Sequence, residues 1–325
     1  MVRNKVFTLL LLSLFITANG TQKEMPNTQT KDQKKPHVTK FIILAAGFGT
    51  RFLPYTKAVP KEMLPIIDKP AIEYIVQEGL DAGITNFLMV TSKSKNTLEN
   101  YFDYNKELER VLKEKNKFHL LENINNILSK SQFTYIRQHE QLGTGHAALM
   151  AKHCIGNEYF AMAFPDDIIT TEYNILEKLI ETSKKLGGSV LLGQEVPEEK
   201  VSSYGVVTIK KQISENVYEI SDLVEKPKLE DAPSNIALVG RSVLSHKVFD
   251  SIEAIWPENT GELYLTDAIK HMLKNGERVF VYKIANEKRH DIGNPLGWLK
   301  AIIDLSLKSP QYGPEVKKYI QEKMC

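Results

Sequence analysis

Cysteine is scarce: two in 325 residues, Cys154 and Cys325, at no metal-ligand spacing and too few for a framework of bridges. That excludes a disulfide-stapled scaffold and a cysteine-built metal site, and two unpaired thiols fit a reducing compartment. Excess charge is lacking too. The formal net charge is +2, and the first 24 residues supply all of it through Arg3, Lys5 and Lys23 against Glu24. A neutral body gives no electrostatic reason to expect nucleic acid as a partner. No apolar run is long enough to span a membrane, so no stable membrane association is expected. The run from Val6 to Ala18 follows a basic start and precedes small residues, the pattern of a secretory signal, whereas a chain begun at Met25 would lack it. No internal repeat occurs, and no low-complexity stretch beyond residues 21–40.

What the sequence does have is apolar runs alternating with amphipathic stretches. "FIILAA" (41–46) reads as a strand buried on both faces, because it lacks polar alternation. A glycine loop follows, then a helix with Ile72, Ile75, Val76 and Leu80 at helical spacing between Pro70 and Gly83, then strand "NFLMVT" (86–91). That order is a βαβ unit, which binds ligands beyond the carboxyl ends of its strands. Residues 95–130 predict a helical excursion, 133–138 a strand, "GTGHAALMAKH" a helix, and 159–167 a strand ending in two acids. Short strands follow Pro197, then helices over 246–254 and 262–274, strand "RVFVYKI", and helices over 296–307 and 314–323. The fold class is α/β: a Rossmann-like, doubly wound mixed sheet with helices on both faces and a smaller mixed sheet in the second half. The expected organisation is a signal-like leader (1–24), a polar segment (25–39), a main domain (40–295) halved near residue 196, and carboxyl-terminal helices (296–325) available for an oligomer contact.

"LAAGFGTRFLP" (44–54) has Phe52 where a dinucleotide fingerprint has its third glycine, and it has no Gly-Lys-Ser/Thr of a P-loop. What remains is a glycine turn whose backbone N–H groups can face an anion, followed by Arg51. Lys57 and Lys61 add cations, and Pro54 and Pro60 stop the loop from continuing as a helix. Rigid cations beside a glycine turn suit a polyphosphate.

"LAAGFGTRFLPYTKAVPKEMLPIIDKPAI" resembles the signature of the sugar-1-phosphate nucleotidyltransferases, and "PKEMLP" is closest to that family's bacterial uridylyltransferase branch. "RQHEQLGTGHA", "FPDDII", "YGVV", "VEKPK", "APSNIALVGR", "LTDAI" and "HDIGNPLGW" occur in the family's order, so the resemblance covers roughly residues 40–325. The implied fold is that of nucleotide-diphospho-sugar transferases. The implied reaction joins UTP to glucose 1-phosphate, with Mg²⁺ as cofactor and release of pyrophosphate. The phosphate nucleophile is already ionised at neutral pH, so the need is positioning and counter-charge rather than a general base.

That need and the resemblance together assign residues. Arg51 and Lys61 would hold the triphosphate, and Lys226 would neutralise the attacking sugar phosphate. Asp166 and Asp291 would hold Mg²⁺, with Asp167 turned away in a supporting role. Ala45, Ala46, Gly47, Gly49 and Thr50 would bring backbone to the nucleotide. Gln138, whose amide can match uracil two ways, and Gly143 would read the base, while His146 is a cap or phosphate neighbour. Glu225, Gly205, Asn235 and Val239 would face the sugar. A thymidylyltransferase is the nearest rival, and "PKEML" favours the uridylyl branch. The presence of all five charged groups argues against a non-catalytic, nucleotide-sugar-binding relative. Cytoplasmic work is expected from where UTP and Mg²⁺ are abundant, export only if residues 1–20 act as a signal, and a homodimer or homotetramer from the terminal helices.

Overall fold

The computed structural model describes residues 36–256, 261–284 and 288–324. The leader expected over 1–24 and most of the polar segment after it lie outside the described residues. The strands, in chain order, are β1 (Val38–Leu44), β2 (Pro65–Ile66), β3 (Lys69–Pro70), β4 (Asn86–Thr91), β5 (Gln132–Arg137), β6 (Tyr159–Ala163), β7 (Asp167–Thr170), β8 (Ser189–Glu195), β9 (Gly205–Ser214), β10 (Val217–Glu225), β11 (Ile236–Ser245), β12 (Val279–Ile284) and β13 (Lys288–Asp291).

Nine of them form one sheet in the order β5-β4-β1-β6-β11-β8-β12-β10-β9. β5, β4, β1 and β6 run parallel. β11 then enters antiparallel between β6 and β8, and β12 lies parallel to β8 and antiparallel to β10. The strands of the second half therefore extend the first sheet, where the sequence suggested a smaller sheet beside it. The reason is β11, which is buried along nearly its whole length and joins the two halves edge to edge.

β1 shows why its run lacks alternation. Ile42 and Leu44 point into one core with helices Thr144–Leu149, Lys247–Ile255 and Leu265–Lys274, while Phe41 and Ile43 point into the other with Ala71–Asp81 and Ile175–Leu186. Each such fully buried side chain contributes about 1.5–3 kcal/mol, so both faces are held shut by helices. The 95–130 excursion resolves into helices Asn96–Tyr101, Lys106–Glu114 and Glu122–Lys130. A third, smaller core around Ile66, Ile168, Ile292 and Ala301 seats helix Pro295–Lys308, whose Leu296, Leu299 and Ile303 remain exposed.

Two boundaries differ from expectation. β6 stops at Ala163, because Pro165 has no N–H to continue a ladder, and the two acids lie on the turn and on a new strand: β7 begins at Asp167 and pairs antiparallel with β13. The helix expected from residue 262 begins at Leu265, because the backbone before it is spent on the loop opposite: Leu263 N–H donates to Leu142 O (2.8 Å) and Gly145 N–H to Leu263 O (2.7 Å).

Candidate active site

β1 and β6 are parallel neighbours, so the loops leaving their carboxyl ends stand side by side. After β1 the chain turns through residues 45–49 and then makes three single turns of 3-10 helix, Thr50–Phe52, Tyr55–Lys57 and Lys61–Met63, interrupted by Pro54 and Pro60. Thr56 Oγ1 donates to Gly49 O at 2.8 Å and closes the loop. After β6 the 164–167 turn carries Asp166 into the same crevice.

Lys61 and Asp166 meet there, Nζ to Oδ2 at 2.5 Å. Burial opposes the charge on each, but the pairing outweighs it, so Lys61 is held above the usual lysine value and Asp166 below the usual carboxylate value. Asp291 arrives from the end of β13, its Oδ1 accepting the Gly293 N–H at 2.9 Å. A Cβ placed on Gly293 would stand 2.9 Å from Asp166 Oδ2 and 3.1 Å from Asp291 Oδ1. The two carboxylates thus converge on the space that this missing side chain leaves open. Among the described residues no cluster of three or more His, Cys, Asp or Glu forms a complete cage. An open-sided carboxylate pair is the donor set that Mg²⁺ takes when substrate phosphates and water fill its remaining positions.

The turn is fixed from behind by two arginines. Arg241, fully buried on β11, grips Glu78 at 2.7–3.1 Å and donates to the carbonyls of Gly240 and Asp167 at 3.0 Å and of Phe164 at 3.4 Å. Arg289 pairs with the Asp167 carboxylate at 2.6 Å and with Tyr204 Oη at 3.2 Å. Asp167 is therefore turned away from Asp166 and tied to β13. Beneath Lys61, Glu62 faces the opposite way and binds Lys95 through both oxygens at 2.8 Å, the pair almost wholly buried.

Two cavities open from this junction, sharing Thr144, Phe164, Asp166 and Glu262. The smaller, about 300 Å³, is bounded by Ala46, Gly47, Lys61, Gln138 and Gly143. The larger, about 340 Å³, is bounded by Arg51, Glu225, Lys226, Val239, Tyr264 and Asp291. Glu225 Oε2 accepts from Thr266 Oγ1 at 2.9 Å, and the Lys226 ammonium lies 3.5 Å from Glu225 Oε1 and 4.8 Å from the centre of the Tyr264 ring. Glu262 holds the Tyr264 hydroxyl by a hydrogen bond that pushes it up to about 12. Lys226 adopts φ 44°, a left-handed conformation costly for a side chain of this kind and found where a site demands it.

The loop 141–145, beside the smaller cavity, is tied to the wall of the larger one through residues 263–266. Besides the two backbone bonds at Leu263, Leu265 N–H donates to Thr144 Oγ1 at 3.1 Å. Gly143, at φ 105°, makes this approach possible: a Cβ there would stand 2.6 Å from Leu263 O. Gln141 Nε2 donates to Ala46 O at 3.1 Å and ties the same loop to the first.

Of the residues singled out from sequence, Arg51, Lys61, Asp166, Asp291, Lys226, Glu225, Val239, Ala46, Gly47, Gln138 and Gly143 border one cavity or the other. Gly205 lies one layer back, where a Cβ would meet Thr266 and Glu225. Ala45 borders neither: it is fully buried and its N–H is spent on Val90 O at 2.8 Å. Gly49 and Thr50 sit on the outer part of the loop, and Asn235 is exposed with its carbonyl taken by Val196 N–H at 3.0 Å. Gln138 differs from expectation in its amide: Nε2 donates inward, to Gly143 O at 3.3 Å and to His146 Nδ1 at 2.9 Å, so it is not open to pair with a base in two ways. His146 is buried within its helix, edge-on to Trp256. Arg241, Arg289, Tyr264 and Thr266 were missed, although Arg241 ends "APSNIALVGR", Thr266 lies within "LTDAI", Tyr264 precedes it and Arg289 precedes "HDIGNPLGW".

A sheet-edge crevice with two converging carboxylates, Lys61 and Arg51 beside them and two cavities sharing a wall suits a reaction between phosphate-bearing substrates. The Nucleotidyl transferase family profile matches residues 40–307, and the chain belongs to that family. It is 43% identical over 285 residues, 88% of this chain and 98% of the other, to a UTP–glucose-1-phosphate uridylyltransferase of Staphylococcus epidermidis. Among solved structures it is similar to a UTP-bound UGPase from Acinetobacter baumannii, with TM-score 0.81 and 38% identity over 88% of this chain and 99% of that one. It is also similar to a UDP-glucose pyrophosphorylase complexed with UDP-glucose, with TM-score 0.76 and 38% identity over 84% of this chain and the whole of the other.

Proposed function

We propose that this chain is a Mg²⁺-dependent UTP:glucose-1-phosphate uridylyltransferase. The observation that carries the reading is the convergence of Asp166 and Asp291 over Gly293, beside Lys61 and where two cavities join. The names of the relatives supply the substrates. In this reading UTP lies along the 300 Å³ cavity with its base toward Gln138 and its phosphates toward Lys61 and Arg51, and glucose 1-phosphate enters the 340 Å³ cavity. Lys226 brings a cation to the sugar phosphate, and Glu225, its Oε2 already held by Thr266, offers acceptor oxygen to sugar hydroxyls. Asp166 and Asp291 would hold the cation, which when bound screens repulsion between the two phosphate groups. A sugar-phosphate oxygen attacks the α-phosphorus, the bond to the β-phosphate oxygen breaks, and pyrophosphate leaves with its charge met by Arg51 and Lys61. No side chain need take a proton.

Among the described residues no helix is long and apolar enough to cross a membrane. We assign the work to the cytoplasm, where the substrates are, and the expected homodimer or homotetramer contact to the exposed face of helix Pro295–Lys308. Initial rates with glucose 1-phosphate and either UTP or dTTP test the assignment, and a preference for dTTP sinks it. Lys226→Ala should lower kcat/KM by about 10²–10³, the scale of losing one charge-stabilising group.

A further inference from the structure

The Gln138 side chain has one nitrogen with two protons and one oxygen with no proton. The Gly143 carbonyl, 3.3 Å from Nε2, can only accept, so the nitrogen must occupy that corner of the pocket. The same nitrogen stands 2.9 Å from His146 Nδ1. Its second proton therefore goes to the imidazole, which must accept at Nδ1 and carry its own proton on Nε2. Burial favours this neutral ring by lowering the His146 pKa, against a weaker opposing pull from Glu140. Both amide protons are thus spent inside the protein. Oε1 takes no hydrogen bond among the described residues, and Gln138 borders the 300 Å³ cavity.

We propose that His146 is a positioning residue for base selection: by accepting from Gln138 Nε2 it fixes the amide with its oxygen available to the base, so the site takes bases that carry a proton on N3 and rejects cytosine. Uracil and thymine both present N3–H to an acceptor. Cytosine presents a bare N3 there, and two acceptors facing one another gain no hydrogen bond. Reversing the amide to suit cytosine would set Oε1 against the Gly143 carbonyl and against Nδ1. The inference rests on the reading of Gln138 as the base-facing residue.

Steady-state kinetics with UTP and CTP in the intact chain, for wild type, His146→Phe, His146→Asn, Gln138→Ala and the Gln138→Ala/His146→Phe double variant, test it. Phenylalanine keeps an aromatic ring against Trp256 but removes the acceptor, and asparagine supplies an acceptor Oδ1. The ratio of kcat/KM for UTP over CTP should fall about tenfold in His146→Phe, the upper range for one neutral hydrogen bond, with the change carried by nucleotide KM. His146→Asn should retain more of the ratio, and in the Gln138→Ala background His146→Phe should change it no further. A ratio that falls in Gln138→Ala but not in His146→Phe, or falls equally with and without Gln138, overturns the proposal alone. A ratio unchanged in Gln138→Ala overturns the reading of Gln138, and the proposal with it.

Discussion

Replacing Lys95 by methionine isolates the foundation under Lys61. Lys95 and Glu62 bind at 2.8 Å with 4% and 1% of their side chains exposed, so water screens neither. At an effective dielectric of about 20, unit charges 4 Å apart attract by about 4 kcal/mol, and desolvation consumes much of that, which is why the Lys95 ammonium titrates below its usual value despite its partner. Removing one member leaves the other without compensation, at a cost of about 3–5 kcal/mol. For a chain of this size that lowers Tm by about 4–7 °C. A second effect should appear in kcat/KM, because Glu62 and Lys61 share the turn Lys61–Met63 and an unanchored Glu62 unseats its neighbour. Thermal unfolding and pyrophosphate release measured on Lys95→Met and on Lys95→Met/Glu62→Leu separate the two. The double variant should recover most of the stability, since an apolar pair of similar volume is often as good as the ion pair. A loss below about 1 kcal/mol in the single variant, or a double variant no better than it, refutes the account.

Gly293→Ala should raise the Mg²⁺ concentration needed for half-maximal rate by about tenfold or more and lower the melting temperature as well, because the new methyl would stand 2.9 Å from Asp166 Oδ2, the oxygen that Lys61 holds, and 3.1 Å from Asp291 Oδ1; an unmoved Mg²⁺ dependence counts against the pair as its seat. The lowered pKa of Asp166 adds stability that is full above the ordinary value near 3.9 and is lost as pH falls through the lower folded value. The raised pKa of Lys61 adds stability that is full below the ordinary value near 10.4 and is lost as pH rises through the higher folded one. Unfolding free energies measured with chelator should therefore fall more steeply below about pH 4 in wild type than in Lys61→Met, and parallel curves would contradict the pairing.

The parallel half of the sheet was legible because its strands are buried on both faces and its turns carry glycine and proline, signals local in sequence. β11 was legible as a strand and not as a bridge, since nothing in "NIALVGRSVL" states which edges it will meet. The β7–β13 ladder was hidden for a like reason: residues 167–170 and 288–291 lie far apart, and each is too short to show a period. Placement at the cavities was legible where residue type sufficed, as for Asp166, Lys61 and Lys226. It failed where orientation decided. Gln138 does border the smaller cavity, yet only its neighbours Gly143 and His146 fix which end of the amide is available, and Ala45 lies in the first motif but spends its N–H on the sheet.

The charged groups divide into two kinds, and in the proposed reaction the division follows the substrates. Asp166 and Lys61 are paired, largely buried and held by a turn that Arg241 and Arg289 grip from behind, so their geometry is set before anything binds. Arg51 is exposed and forms no ion pair among the described residues, and the Lys226 side chain is 49% exposed, loosely held by Glu225 and Tyr264. A reaction between two polyanions gains most from fixed charge where the reacting phosphorus will sit, because reorganising there would cost barrier height. At the two ends the opposite holds: pyrophosphate must leave and the sugar phosphate must enter, and cations rigidly fixed in advance would bind both ground states as tightly as the transition state. Stiffness at Asp166 and looseness at Arg51 and Lys226 are thus one arrangement, and the strained backbone of Lys226, φ 44°, marks where the loose half is still aimed.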